Sequence, residues 1–262
     1  MRIVSLASGS KGNAYLVSSH GRTLVVDCGL SFREFARRVA LASFDLSAIA
    51  GVLVTHDHTD HTAGLAAFRS HFPEVPIYAN LMTAEAAAAN CPGLGPDDFT
   101  VFEDNQVFSL DAFDIEPFPV PHDVPDAVGY LIYSDGFTYF HATDFGVPLE
   151  SIGRRLGEAD AATLESNHDV PLLRASGRPL RLIRRIEGPR GHLSNCQCAE
   201  LVEKFAGPKL KHLALAHLSQ DCNAPHLAEA EVREALERIG RTEVEVSILA
   251  QDCPRKVCDA GF

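Results

Sequence analysis

The sequence predicts an α/β fold, a four-layer αββα sandwich in which two β-sheets face each other inside layers of helices. Three observations predict it. Short apolar or alternating segments come in two groups, each accompanied by helical segments. No linker divides the 262 residues, so one domain spanning 1–262 is expected. The apolar run Gly51-Val52-Leu53-Val54, short enough for a buried strand, leads straight into Thr55-His56-Asp57-His58-Thr59-Asp60-His61. Four later segments of strand character also end on a metal-capable side chain, and strands ending side by side gather distant residues on one rim of a sheet.

The elements follow in order. Residues 3–7 read as a strand, followed by Ser8-Gly9-Ser10-Lys11-Gly12-Asn13, a loop that permits close backbone approach but lacks Walker spacing. Strands are expected at 14–18 and 23–26, joined by the turn at His20-Gly21. Ser31-x-x-Glu34 is a capping-box pattern that opens a helix to about Leu41, and 45–50 form a helical turn. A helix over 62–71, a strand at 77–79 and an alanine-rich helix over 83–90 come next. Strands are expected at 100–103, 106–110, 113–120, 128–134 and 138–142, the last two joined by the hairpin signal Asp135-Gly136. Then come a helix at 149–156, a strand at 161–164 and an amphipathic helix at 181–186. Ser194-x-x-Gln197 opens a helix to about Phe205. A strand at 212–216, a charged helix at 225–239 and an alternating strand at 243–249 close the chain.

Composition narrows the function classes. The 46% hydrophobic content supports a substantial buried core. The N-terminal residues run directly into a strand, no apolar run reaches membrane-spanning length, and the seven cysteines are an odd number. A cytoplasmic protein with reduced thiols and no membrane association is expected. Cys196-x-Cys198 and Cys253-Pro254-x-x-x-Cys258 lack the partner pairs of a structural zinc site. The net charge of −12 argues against nonspecific nucleic-acid binding, although bound divalent cations would offset part of it. One region runs the other way: Arg174, Arg178, Arg181, Arg184, Arg185 and Arg190 have Glu187 as the only acid among them.

The chemistry starts at His56-x-His58-x-Asp60-His61. Alternate residues of an extended segment share a face, so His56 and His58 can reach one cation. Asp60 and His61 lie where the chain begins to curl and can aim at a second point. Imidazole and carboxylate donors suit zinc, manganese or iron. His122, Asp144, Glu165 and His217 each follow a strand. Taken singly, each is more often a satisfied turn residue. Taken with the opening motif, they complete two shells: His56, His58 and His122 around one cation, Asp60, His61 and His217 around the other, with Asp144 suited to bridge. Asp57 and His168 are placed as supporting groups just behind the ligands. His192, after the arginine-rich segment, titrates in the range needed to protonate a leaving oxygen, and Glu165 would orient it. Capping of the following helix is its other reading.

The element His56-x-His58-x-Asp60-His61, with His122, Asp144 and His217 in order, resembles the metallo-β-lactamase fold. Ala7-Ser8-Gly9-Ser10-Lys11-Gly12-Asn13-Ala14, Glu165-Ser166-Asn167-His168-Asp169, Gly191-His192-Leu193-Ser194-Asn195 and Ala216-His217-Leu218-Ser219-Gln220-Asp221-Cys222-Asn223 resemble the YycJ (WalJ) family. That resemblance covers nearly the whole chain. It implies a 5′-to-3′ exonuclease on double-stranded DNA, with links to mismatch repair and cell-wall signalling. The Glu165 and His192 segments also resemble those of ribonuclease Z, where the pair assists the leaving group, but the long substrate arm of that enzyme is not evident.

The expected function is therefore a phosphodiesterase that uses two divalent ions, zinc or manganese, on a DNA partner. Asp60, His192 and Glu165 would be catalytic, and Arg181, Arg184 and Arg185 would meet backbone phosphates. A solvated helix face is the other reading of those arginines. Ser194 and Asn195, beside His192, join them as candidate substrate contacts. A small-molecule or cyclic-nucleotide phosphodiesterase, or another ester hydrolase, is the alternative that the acidic balance favours. A non-catalytic regulatory protein on a metal-stabilised fold is the third.

Overall fold

A computed structural model describes residues 1–260, and the last two positions of the expected domain lie outside it. The first sheet begins with β1 (Arg2–Ala7), β2 (Ala14–Ser19) and β3 (Arg22–Val26). Side chains alternate across it. Ile3, Tyr15, Val17, Leu24 and Val26 point one way, while Val4, Leu6, Leu16 and Val25 point the other. Both faces are buried, so these strands read as nearly continuous apolar runs.

Helix α1 (Phe32–Leu41) covers the outer face with Phe35 and Val39. The capping box expected at Ser31 does not form: the serine side chain makes no cap bond, and Glu34 bonds Arg37 and Arg38 instead. A 3-10 turn at Leu46–Ala48 leads into β4 (Ile49–Leu53). The helix expected over 62–71 is two pieces, α2 (Thr59–Thr62) and α3 (Leu65–His71). They part at Gly64, whose N–H donates to the Cys28 carbonyl and whose added Cβ would meet the Leu30 carbonyl oxygen at 2.1 Å. Strand β5 (Ile77–Asn80), α4 (Leu81–Asn90) and β6 (Phe99–Phe102) complete this half.

The second sheet starts with β7 (Phe108–Leu110), β8 (Phe113–Pro119), β9 (Val128–Ser134) and β10 (Phe137–Ala142). Helix α5 (Glu150–Leu156) and β11 (Ala161–Glu165) follow, then α6 (Val170–Ala175), which sequence reading missed, and α7 (Leu180–Ile186). The capping box at Ser194 does form and opens α8 (Asn195–Phe205). Strand β12 (His212–Ala216), α9 (Pro225–Arg238) and β13 (Glu245–Ile248) come next. The chain does not close there. A further strand, β14 (Arg255–Asp259), returns to pair antiparallel with β1.

The two sheets run β14-β1-β2-β3-β4-β5-β6 and β13-β12-β11-β10-β9-β8-β7. Their inner faces share one core, in which Ile3, Tyr15 and Leu24 meet Phe113, Tyr130 and Tyr139. Helices α5, α8 and α9 bury Ile152, Leu201, Val202 and Val232 against the outer face of the second sheet. The result is the expected αββα order. Strands β10, β11 and β12 are mutually parallel, as are β3 and β4. Their C-terminal ends therefore lie together on one rim. Among the described residues no helix is long and apolar enough to cross a membrane.

Candidate metal centre

The rim is built by strands that end in turns. Asp27 after β3, Asp144 after β10 and His217 after β12 each have positive φ, at 60°, 62° and 55°. This backbone conformation is unfavourable for residues with a Cβ and persists where surrounding contacts over-determine it. The motif loop after β4 is pinned just as closely. Asn13 N–H donates to the Asp60 carbonyl at 2.7 Å. A Cβ on Gly29 would lie 1.7 Å from that same oxygen, so only glycine fits there.

Donor atoms converge in groups. His56, His58 and His122 bring one ligand atom each within 4.8 Å of one another, as do Asp60, His61 and His217. Asp144 groups with His56 and His61 on one side and with Glu165, His192 and His217 on the other. Asp144 thus stands between the two histidine groups. His61 Nε2 lies 3.4 Å from its Oδ2, and His217 Nδ1 lies 3.4 Å from its Oδ1.

The outward nitrogen of every ring but that of His58 is held from behind; His58 Nδ1 faces His122 Nε2 at 3.3 Å. Asp27 Oδ2 accepts from His61 Nδ1 at 2.7 Å, with both side chains fully buried. Thr55 Oγ1 donates to Asp27 and lies 3.0 Å from His56 Nδ1, so one carboxylate steadies two rings. His122 Nδ1 faces the Gly191 carbonyl at 3.3 Å. Glu165 Oε1 accepts from His217 Nδ1 at 3.1 Å and from His192 Nδ1 at 2.8 Å. Glu165 Oε2 accepts the backbone N–H groups of Phe145 and Leu193. These partners engage Nδ1 and leave the Nε2 atoms of His56, His61, His122, His192 and His217 for the converging donor groups.

The donor set fits a cation. His56 Nε2, Asp144 Oδ2 and His217 Nε2 are buried and have no hydrogen-bond partner in the protein, which is costly for polar atoms unless a ligand satisfies them. The electrostatics agree. Burial opposes charge on His217, yet Asp144, Asp60 and Glu165 outweigh it and lift its pKa to about 10. Burial likewise opposes charge on His61, and Asp27, Asp60 and Asp144 raise its pKa well above the ordinary value. His56 goes the other way: burial, and then the neighbouring His61, push it well below. Burial works to raise Asp144, but His217 and His61 hold it well below the carboxylate range. Such negative potential suits a divalent cation as well as it suits protons.

The other expected residues fall differently. Asp57 Oδ2 accepts from Asn90, its buried Oδ1 has no hydrogen-bond partner, and no hydrogen bond joins its side chain to an expected ligand among the described residues. Asp27 fills the supporting role expected of Asp57, and the signal was present in Val25-Val26-Asp27, a strand ending on a carboxylate. Buried Asn13 also went unnoticed; its amide nitrogen lies 3.1 Å from Asp60 Oδ2 and 3.0 Å from His61 Nε2. His168 is buried with an unpartnered Nδ1 and makes no hydrogen bond to Glu165 among the described residues. Ser194 and Asn195 are buried too. Ser194 caps α8, and the Asn195 amide exchanges bonds with Asn223 and Ser166, so both belong to the frame behind the cleft. The cleft, a cavity of about 250 Å³, is lined by His58, Asp60, Asp144, His192 and His217 together with Arg178 and Arg185. Arg181 and Arg184 are exposed and do not line it. Arg185 reaches Asp123 Oδ2 at 2.5 Å, and Asp123 Oδ1 lies 3.4 Å from His122 Nε2. Arg178 is held by Asp221 at 2.8 Å. His192 stands in the cleft; burial opposes its charge, and Glu165 raises its pKa nonetheless.

Known proteins share this fold. Residues 22–218 match the Beta-lactamase superfamily domain. Exodeoxyribonuclease YycJ of Bacillus anthracis is 32% identical over 90% of this chain and 89% of its own. The chain belongs to the YycJ/WalJ family of the β-lactamase superfamily. Exodeoxyribonuclease WalJ of Streptococcus pneumoniae is likewise 32% identical, over 85% of this chain and 83% of its own. The metallo-β-lactamase fold protein YhfI from Bacillus subtilis superimposes with a TM-score of 0.70 at 16% identity, over 98% of this chain and all of that one, and shows the shared fold. A member of this family is a hydrolase, and its fold implies divalent metal binding by His and Asp groups such as these.

Proposed function

We propose that the protein is an exodeoxyribonuclease that uses two divalent cations, zinc or manganese, and degrades double-stranded DNA from its 5′ end, as its family resemblance implies. The observation that carries this reading is the pairing of His192 with Glu165 beside the converging ligand groups, in a cleft that Arg178 and Arg185 also line. His56, His58 and His122 would hold one cation and Asp60, His61 and His217 the other, with Asp144 between them. When bound, such cations neutralise a phosphodiester and acidify water. The protein's own groups do the rest. Arg178 and Arg185 orient the phosphate with charge-assisted bonds. Glu165 holds His192 with a proton on Nδ1 and favours the charged ring, so Nε2 can deliver a proton to the leaving 3′-oxygen. The exodeoxyribonuclease names of the relatives with 32% identity support DNA as the substrate, and a repair role and a cytoplasmic location accord with it.

A second reading, a small-molecule phosphodiesterase, is favoured by the modest cleft of about 250 Å³ and the net charge of −12. Parallel assays on 5′-phosphorylated duplex DNA and on cyclic nucleotides separate the two. Turnover of duplex with little on cyclic nucleotides supports the nuclease. Turnover of cyclic nucleotides with none on duplex overturns it.

A further inference from the structure

Next to the metal cleft lies a second cavity, of about 470 Å³, which the chemistry above does not use. Its walls are mostly apolar, with Leu218, Ile248, Leu249 and Ala250, and Arg255 stands at its edge. Ser219 lines both cavities. The glycine-rich loop is the partition between them: Ser8 faces the larger cavity and Ser10 the metal cleft. The partition is tied to both sides. Ser8 Oγ accepts the backbone N–H of His217 at 2.8 Å. Gln251 Oε1 accepts the N–H of Lys11 at 2.8 Å, and its Nε2 donates to the Gly12 carbonyl at 2.9 Å. Gly9, at φ 140°, keeps the partition thin, because a Cβ there would come within 2.7 Å of Gln251 Oε1.

We infer that this cavity is a nucleoside subsite, holding the base and sugar that flank the reacting phosphate. The inference rests on the nuclease reading and adds what lies beside the phosphate. The two cavities differ sharply in chemistry. The metal cleft offers carboxylates, imidazoles and two guanidinium groups, which suit a phosphate. Its neighbour offers apolar walls with the Ser219 hydroxyl and the Gln220 amide, which suit a ring with hydrogen-bonding edges. A polar and an apolar compartment side by side, with Ser219 lining both, match the alternation of phosphate and nucleoside along a strand. Arg255 also lines this cavity, makes no ion pair among the described residues and could meet a second phosphate. A substrate that is only a small phosphodiester needs the smaller cleft alone.

Binding to the metal-loaded protein tests this, using 2′-deoxyadenosine 5′-monophosphate, 2-deoxyribose 5-phosphate and 2′-deoxyadenosine 3′,5′-bisphosphate as calorimetric probes. The wild type is expected to prefer the nucleotide over the sugar phosphate by about tenfold or more, since the base buries apolar surface. Ala250→Phe, which fills the cavity, should bring that ratio close to one. Arg255→Ala should weaken the bisphosphate several-fold more than the monophosphate, and it keeps the subsite testable if Ala250→Phe fails to fold. Equal wild-type affinity for nucleotide and sugar phosphate overturns the subsite, as does a preference that survives in folded Ala250→Phe. The readout needs no turnover. Base-dependent binding without DNA degradation would leave the subsite standing and remove the nuclease reading; DNA degradation without base-dependent binding would do the reverse.

Discussion

Glu165 Oε1 accepts the Nδ1 proton of His192 at 2.8 Å and, from the same oxygen, holds the ring of His217 at 3.1 Å. In the proposed function one buried carboxylate would therefore serve a metal ligand, His217, and a proton donor, His192, together. Their variants should separate. His192→Ala is expected to lower kcat by about 10²–10⁴-fold, the usual contribution of a placed acid. Its metal content should stay near the wild-type value. Glu165→Gln should lower both kcat and bound metal. Steady-state kinetics beside elemental analysis checks the pair, and loss of metal in His192→Ala would count against the division of labour.

Asp27 supports His61 directly and His56 through Thr55. Asp27→Ala is expected to weaken metal binding by about 10–100-fold, the usual cost of losing such a partner. A competition titration against a chelator reads this. Metal removal from the wild type should also lower Tm, because a ligand bound only to the folded state stabilises it by mass action. Asp57→Ala, on the Asn90 side, should leave metal affinity within a few-fold of wild type.

Arg178 and Arg185 line the cleft, whereas Arg181 and Arg184 do not. Replacing either of the first two with Ala is expected to raise KM for DNA about tenfold or more, in keeping with a charge-assisted hydrogen bond worth about 1.5–3 kcal/mol. Arg181→Ala and Arg184→Ala should change KM by less than about threefold, as solvated rim charges do. KM measured at fixed salt distinguishes the two sets.

Arg38 is buried and donates from Nη1 to the carbonyls of Leu6 and Gln251, each at 2.8 Å, tying α1 to β1 and to the segment after β13. Arg38→Ala leaves one buried and one partly buried acceptor without this donor and is expected to cost about 2–3 kcal/mol in a denaturant melt. Its neighbour Glu34 carries a pH signature. Hydrogen bonds from Arg37 and Arg38 lower its pKa from 4.5 to about 2 in the folded state. A depressed carboxylate contributes stability above its unfolded pKa and loses it as pH falls toward the folded one. The unfolding free-energy advantage of wild type over Glu34→Gln, read from denaturant melts, should thus be full at pH 6, shrink below pH 4.5 and vanish near 2. It should stay below about 1 kcal/mol, because Glu34 is 31% exposed.

The floor of the cleft was legible because its ligands repeat one arrangement, a strand followed at once by a donor, and because His56 to His61 concentrate four donors in six residues. Asp27 obeys the same arrangement but stands alone in sequence, so nothing local sets it apart from a turn aspartate. Strand β14 escaped because its residues, Arg255-Lys256-Val257-Cys258-Asp259, are polar at both ends and gain strand character only by pairing with Arg2–Ala7 across the length of the chain. Helix α6 did have a local signal, Asp169 as its cap and Pro171 in its first turn, yet its six residues are too few for periodicity to show. Ser31 had the pattern of a capping box, but Glu34 found stronger partners in two arginines. The arginines that line the cleft were not separable by sequence from those that do not: Arg178 lies in the segment before α7, and orientation on that short helix separates Arg185 from Arg181 and Arg184.

Metal-dependent exonuclease action is decided by cleavage of a 5′-phosphorylated duplex, labelled at either end, with metal-loaded wild type and with His58→Ala. The expected result is immediate release of labelled mononucleotide from the 5′-labelled strand, gradual shortening of the 3′-labelled strand, and loss of both in His58→Ala. Degradation by the wild type that does not exceed that of His58→Ala would refute it.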